Sequence, residues 1–276
     1  MVSNEQRRRQ LAREKFERQQ QRREEARRKA RRRNAVIAAA LAVVLAAGVT
    51  AYATGALSGD DKKDTTDAAA PETSKAPTAP SKGPDPCAKP APGSPAAKTW
   101  KSEPEMGIDK SAAYAMDLKT TCGTIDVKLD AANAPHTVNS FNFLAGEGYF
   151  DHTKCHRLTT SGIYVLQCGD PKGTGSGGPG YTLPDENLKD SKLKGNVYPA
   201  GTVAMANTGQ PHTGGSQFFL VYQDSPLPPT YTPFGTIGAE GMKTLKKIAD
   251  AGEPSGAGDG APNATVVIDK ATVAKS

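Results

Sequence analysis

The chain has 276 residues and a formal charge of +6, yet residues 1–33 hold 14 Lys/Arg against 5 Asp/Glu, which leaves the remainder at a net −3. A mildly acidic body behind a basic tail argues against a nucleic-acid-binding domain, although the tail itself could meet nucleic acid or anionic lipid. The four cysteines (Cys87, Cys122, Cys155, Cys168) and four histidines (His136, His152, His156, His212) show neither CxxC pairs nor zinc-finger spacing, so no metal site and no cofactor are expected.

Residues 1–34 are rich in Arg, Gln and Glu and cannot bury an apolar face, which predicts a solvated helix or a disordered tail. Residues 35–57 then run 23 positions without a charge, AVIAAALAVVLAAGVTAYATGAL. At about 1.5 Å per residue this is long enough to cross a hydrocarbon core of about 30 Å. The Lys/Arg excess lies before it; after it, Lys62 and Lys63 are outnumbered by Asp60, Asp61 and Asp64. That asymmetry predicts a single-pass anchor in the cell membrane, with a cytoplasmic N-terminus and the rest of the chain extracytoplasmic. A cleaved signal peptide is the competing reading, since Ala51-Tyr52-Ala53 has the A-x-A form, but a basic region of this length favours a retained anchor. Residues 58–98 contain eight prolines among Ala, Ser, Thr and Lys, the composition of a semi-extended spacer.

Residues 99–276 read as one domain, mostly β. Alternating segments at 113–118 and 125–129 flank Thr121-Cys122-Gly123 and predict a hairpin. Pro135 opens a helix whose Val138, Phe141 and Leu144 share a face, and Gly146 and Gly148 end it. Short strands follow at 163–166, 202–206, 218–222, 234–237 and 265–268. A second helix over about 240–249 carries Met242, Leu245, Ile248 and Ala249 on its apolar side. Short strands with two helices predict a β-barrel, because closure removes exposed sheet edges and helices can cover the ends. A doubly wound α/β fold does not fit, since helices do not alternate with strands.

Two stretches carry the chemistry. Residues 155–170, CHRLTTSGIYVLQCGD, set Arg157 before a short apolar strand and Gln167 after it; a guanidinium and an amide on neighbouring strands are suitable donors for a peptide group. Residues 201–222, GTVAMANTGQPHTGGSQFFLVY, end one strand at Ala206-Asn207 and start the next at Gln217, so Gln217 and Phe219 point one way and Phe218 the other. The Gly-rich segments here and at 173–180 lack a following Lys-Ser/Thr and a helix, which argues against a nucleotide cradle.

In order and spacing, HR…VLQCGD, GTVAMAN…GGSQFFLVY and Thr232-Pro233-Phe234-Gly235 resemble the cyclophilin family of peptidyl-prolyl cis–trans isomerases, over about residues 110–270. The resemblance implies a closed eight-stranded barrel capped by two α-helices, here preceded by the N-terminal transmembrane helix. It implies that Arg157 is the catalytic arginine, with Gln167 beside it and Asn207 holding the peptide. Tyr164 and Val165 fall where the family usually has Phe and Met, and Ala206, Gln217, Phe219 and Leu227 match further substrate-binding positions. Tyr231 falls near the family's pocket histidine. The chain departs from the pattern in places. Residues between Arg157 and Gln167 are two more than usual, and the loop at 209–213 is about one longer. The family's pocket tryptophan has no counterpart, Ser225 and Pro226 lying there, which implies weak cyclosporin sensitivity.

In the layout the family implies, Cys155 and Cys168 flank neighbouring strands of one hairpin. Outside the cytoplasm they could form a disulfide, with Cys87 and Cys122 a second pair; three connectivities, or free thiols, remain open. The expected activity is isomerisation of X–Pro bonds in exported proteins by a monomeric enzyme whose partners are proline-containing peptide segments. The alternative is a non-catalytic proline-peptide-binding or chaperone module on the same barrel.

Overall fold

The computed structural model describes residues 85–276. The tail at 1–34, the apolar run at 35–57 and the spacer up to residue 84 lie outside the described residues, and with them the membrane-anchor expectation. Among the described residues no helix is long and apolar enough to cross a membrane.

The first hairpin pairs β1 (Tyr114–Thr120) with β2 (Gly123–Leu129) from Tyr114 opposite Leu129 to Thr120 opposite Gly123. Alternation sets its register: Met116, Leu118, Ile125 and Val127 face inward and are almost fully buried. Helix α1 (Pro135–Gly146) starts on a proline, whose missing N–H costs nothing in a first turn, and buries Val138, Phe141 and Leu144 completely. Gly148, just beyond, takes the left-handed conformation (φ 68°) that lets the chain leave the helix. Phe141 is the centre of the core, 4.5 Å from Phe234, 5.2 Å from Phe150 and 5.5 Å from Phe218 between ring centroids.

The chain continues through β3 (Thr153–Lys154), β4 (Arg157–Thr159), β5 (Val165–Cys168), β6 (Val197–Tyr198), β7 (Thr202–Met205), β8 (Phe218–Val221), β9 (Ser225–Pro226) and β10 (Pro233–Ile237). Helix α2 (Ala239–Asp250), β11 (Asp259–Gly260) and β12 (Val267–Lys275) complete it. β6 pairs only with β9; the other strands form one antiparallel, strongly curled sheet in the order β11-β4-β5-β8-β7-β10-β2-β1-β12-β3. The fold is mainly β with two helices, as expected. The described residues form twelve strands, ten of them in the main sheet, rather than eight, and the ladder ends on β11 and β3 instead of closing on itself. β3 and β4 belong to one stretch of chain, divided where the Cys155 N–H turns to Val266 and the His156 N–H to Gln167. β11 is a two-residue pairing that periodicity cannot reveal. β12 runs nine residues because β1 pairs along nearly its whole length, a long-range cause invisible in the local pattern at 265–268.

The last part of the proline-rich spacer packs against the domain. Cys87 is disulfide-bonded to Cys122, the Ala88 N–H donates to the Thr121 carbonyl (2.9 Å), and the Ala91 N–H donates to Asp269 (2.9 Å). Lys98 pairs with Glu147, and Trp100 lies edge-on to Phe143 at 5.1 Å and tilted against Tyr149 at 5.8 Å. Composition shows that such a stretch has no core of its own; it does not show that a neighbouring domain supplies one.

Candidate functional site

The β4–β5 hairpin sets Arg157 directly opposite Gln167, and β8 sets Phe219 opposite Gln167 on the other side. The longer connection between Arg157 and Gln167 leaves this register intact. It forms a tight turn, with Ser161 bridged to Ile163 and Gly162 at φ 76°. The turn is held from outside by the Thr160 N–H on the Gly258 carbonyl (2.9 Å) and the Tyr222 hydroxyl on the Thr159 carbonyl (2.6 Å).

A continuous line of polar contacts crosses these strands. Arg157 donates through Nε and Nη2 to the two carboxylate oxygens of Asp259, each at 2.7 Å, and through Nη1 to Gln167 Oε1 at 3.2 Å. Gln167 Nε2 donates to Gln217 Oε1 (2.8 Å), and Gln217 Nε2 to the Gly177 carbonyl (2.9 Å). The Asp259 hydrogen bond raises the Arg157 pKa further above its ordinary value, so the guanidinium is permanently charged.

Beside this line lies a second apolar cluster, separate from the main core. Val165, Tyr198, Ala204, Phe219 and Val221 are its buried members, with Ala206, Leu227 and Tyr231 packed against them and partly exposed. Tyr231 stands edge-on to Phe219 at 5.5 Å, and both rings face Tyr198 at 6.2 Å. The Tyr198 hydroxyl donates to the Tyr231 carbonyl (2.7 Å) and accepts from the Tyr231 N–H (3.1 Å); burial pushes its pKa up to about 12, so it stays a neutral brace. Alternation along β8 does the sorting: Phe218 enters the main core while Phe219 enters this cluster.

The structure thus brings Arg157, Gln167 and Gln217 together as donors and gathers Val165, Ala206, Phe219, Leu227 and Tyr231 in one apolar cluster beside them. Tyr164 does not join the cluster. Its ring meets Tyr222 at 5.9 Å and its N–H donates to Ser225, because neighbouring residues of an extended chain face opposite ways. Asn207 acts at the rim: Nδ2 donates to the Thr230 carbonyl (2.8 Å) and Oδ1 accepts from the Gly209 N–H (3.0 Å). It thereby fixes the segment that delivers Tyr231. A groove of about 490 Å³, lined by Gln167, Gln217, Ala206, Asn207, Lys172 and the glycines of 175–180, lies alongside, sharing Ala206 with the cluster.

Cys155 and Cys168 form a disulfide next to the Arg157/Gln167 pair. Asp170, fully buried, organises the Gly-rich wall of the groove. Burial alone would raise its pKa, but the N–H groups of Gly177, Lys172, Thr174 and Gly175 outweigh that and hold the carboxyl below its ordinary range. Two contributors went unread in the sequence. Tyr198 precedes a Pro-Ala-Gly turn, a weak sign of a strand end, and Asp259 sits in a Gly-rich segment that carries no motif.

His156, between Cys155 and Arg157, has both ring nitrogens buried without a partner. Burial lowers its pKa, with Arg157 acting in the same direction and Asp170 opposing. A lowered folded pKa means that the unfolded chain takes up a proton the folded chain refuses. Stability should therefore be complete above the ordinary histidine value of about 6.5 and fall as the pH drops below it. The thermal midpoint is expected to decline between pH 7 and pH 5, and His156→Asn to flatten that decline; a slope unchanged in the variant would contradict this.

The fold and site define a mainly β, two-helix domain that sets guanidinium and amide donors beside an apolar cluster. Residues 115–273 match the family model "Cyclophilin type peptidyl-prolyl cis-trans isomerase/CLD", more than half of the chain, and the chain belongs to that family. It is 54% identical over 166 residues to the "Probable peptidyl-prolyl cis-trans isomerase B" of Mycobacterium leprae, covering 57% of this chain and 56% of that protein. It is 41% identical over 138 residues to the "Peptidyl-prolyl cis-trans isomerase" of Helicobacter pylori, covering 49% and 80%. A solved cyclophilin-type isomerase of Cryptosporidium parvum aligns with a TM-score of 0.48 and 27% identity, covering 59% of this chain and 99% of that one. The chain spans about half the length of the mycobacterial relative it matches.

Proposed function

We propose that this protein is a peptidyl-prolyl cis–trans isomerase that lowers the barrier of X–Pro bonds without covalent chemistry. The observation that carries the reading is the alignment of Arg157, Gln167 and Gln217 beside the apolar cluster of Phe219, Val165, Leu227 and Tyr231. An X–Pro bond isomerises slowly, with a barrier of about 20 kcal/mol, because its C–N bond has partial double-bond character. The exposed edge of this cluster, at Ala206, Leu227 and Tyr231, would receive the proline ring. Arg157 would donate to the prolyl nitrogen as it becomes pyramidal, weakening the amide resonance, while Gln167 and Gln217 hold the flanking peptide groups. Such donors raise the rate only insofar as they bind the twisted state better than either planar one. The names of the relatives support this assignment. A protease-coupled assay on an Ala-Pro peptide tests it, and a rate equal to the uncatalysed one would reject it.

A second reading is a proline-peptide-binding module with little turnover. It is favoured by the altered lining: Tyr164 turned toward Tyr222, Val165 and Tyr231 in the cluster, and Ser225 and Pro226 where a tryptophan is usual, Trp100 being packed on Phe143. Saturable peptide binding without catalysed exchange would select it. The same lining underlies an expectation of weak cyclosporin binding.

The reading extends to location. The apolar run at 35–57 behind a basic tail supports a membrane anchor with this domain on the extracytoplasmic side, acting as a monomer on proline segments of exported proteins. Two disulfides within the described residues favour an oxidising compartment. Protection of the domain from protease added on the cytoplasmic side of sealed vesicles tests the topology.

A further inference from the structure

We propose that Asp259 is a positioning residue, holding the Arg157 guanidinium in the one orientation from which it can serve a prolyl amide; this rests on the isomerase reading above. The proposal starts from donor geometry. A guanidinium has five N–H groups in one plane, but its side chain ends four rotatable bonds from the backbone. Gln167 supplies a single contact at 3.2 Å, which leaves rotation about the terminal bonds free. The Asp259 fork, with both contacts at 2.7 Å, fixes the plane itself. Three of the five N–H groups are then engaged within the protein, and one on each terminal nitrogen is left for a substrate.

Asp259 is in turn delivered by a built device. β11 pairs Asp259 with Thr159 and Gly260 with Leu158, so the carboxylate arrives diagonally across from Arg157 on the same ladder. The preceding loop is closed by Glu253, whose carboxylate accepts from the Ser255 N–H (2.7 Å), the Ser255 hydroxyl and the Gly258 N–H (2.8 Å). Gly256 (φ 66°) and Gly258 (φ 83°) take left-handed conformations there, and a Cβ on Gly258 would lie 2.5 Å from Ser161 Cβ. The loop therefore packs on the turn that follows Arg157, so hairpin and clamp form one unit.

Folding stability is a poor reason for this arrangement. The two side chains are 39% and 52% exposed, and an ion pair so exposed contributes about 0–1 kcal/mol. The carboxylate also offsets part of the field that Arg157 could direct at a substrate. What it provides is a fixed guanidinium plane, which matters for a reaction whose catalysis is a matter of orientation.

The test compares Asp259→Asn and Asp259→Glu in the full chain with wild type. Asp259→Asn should lower kcat on an Ala-Pro peptide about tenfold with KM changed less than about twofold, and leave the thermal midpoint nearly unmoved. Asp259→Glu, which restores a two-oxygen acceptor, should recover part of the loss. In an Arg157→Lys background, where no fork can form, Asp259→Asn should cost little more; an equal cost in both backgrounds would make Asp259 independent of Arg157 and overturn the proposal. The Arg157 Nε–H resonance supplies a readout that does not depend on turnover. It should be sharp and slow to exchange in wild type and lost to solvent exchange in Asp259→Asn. Absence of activity in wild type would defeat the isomerase reading, whereas an unchanged Nε–H signal in Asp259→Asn would defeat the clamp.

Discussion

Replacing Arg157 with alanine is expected to lower kcat/KM on an Ala-Pro peptide by about 100-fold or more, the scale seen when one well-aimed transition-state donor is removed. The size of the effect follows from what remains. On the proposed reading Gln167 and Gln217 would still hold a peptide, and the apolar cluster around Phe219 would still take a proline ring, so binding should survive in large part. On the proposed mechanism the lost element would be the charged donor beside the bond that twists. The fold should not notice: Arg157 is half-exposed, its partner is on the surface, and neither belongs to the apolar core. Thermal unfolding and kinetics measured on the same preparation separate the two. A variant that folds and turns over normally would remove Arg157 from the mechanism; a variant that unfolds would show that its role is architectural. Arg157→Lys keeps the charge without the planar fork and should recover only a small part of the activity.

The largest expected effect on stability comes from the two disulfides. Cys155–Cys168 closes a loop of sequence separation 13 and Cys87–Cys122 one of 35. On the chain-entropy account, loops of these lengths contribute about 3 and about 4 kcal/mol, respectively. Either is a large part of the 5–15 kcal/mol by which a typical domain is stable, so removing both should bring the domain near its threshold. We expect Cys155→Ala/Cys168→Ala and Cys87→Ala/Cys122→Ala each to lower the urea midpoint clearly, with the four-alanine variant lowest. The two pairs differ in what they hold. Cys155–Cys168 brackets the hairpin that carries Arg157 and Gln167, so its loss should lower activity as well as stability. Cys87–Cys122 ties the proline-rich strap to the β1–β2 turn, so its loss should cost stability alone. Urea titration with parallel rate measurements checks both; equal activity losses from the two pairs would contradict this division.

Much of the fold was legible because its signals are local. Period-two alternation marked β1 and β2, and Pro135 with Val138, Phe141 and Leu144 marked α1. The site was legible where strand alternation and motif order agree: Arg157 opposite Gln167, and Gln217 and Phe219 on one side of the chain that leads into and along β8. What stayed hidden depends on contacts between distant segments. β11 exists because the loop after α2 folds back onto β4, and nothing near Asp259 announces a partner about a hundred positions earlier. Tyr164 was expected among the substrate-binding residues because it falls where the family usually has Phe, but the extended chain sends its side chain and that of Val165 opposite ways. The docking of residues 85–98 rests on Cys122, Thr121 and Asp269, which lie far along the chain. The cysteine count left three connectivities open, and the pairing became definite only once the strands were placed.

NMR exchange spectroscopy on an Ala-Pro peptide tests the central claim most directly, because it separates binding from turnover in one sample. With the full-length wild-type chain at substoichiometric concentration, cis and trans resonances should show exchange cross-peaks on a sub-second mixing time. An uncatalysed X–Pro bond needs about 10–100 s to interconvert. With Arg157→Ala the peptide should still shift on titration while the cross-peaks vanish. Binding without cross-peaks in the wild-type chain would contradict the isomerase account and leave a proline-peptide-binding module in its place.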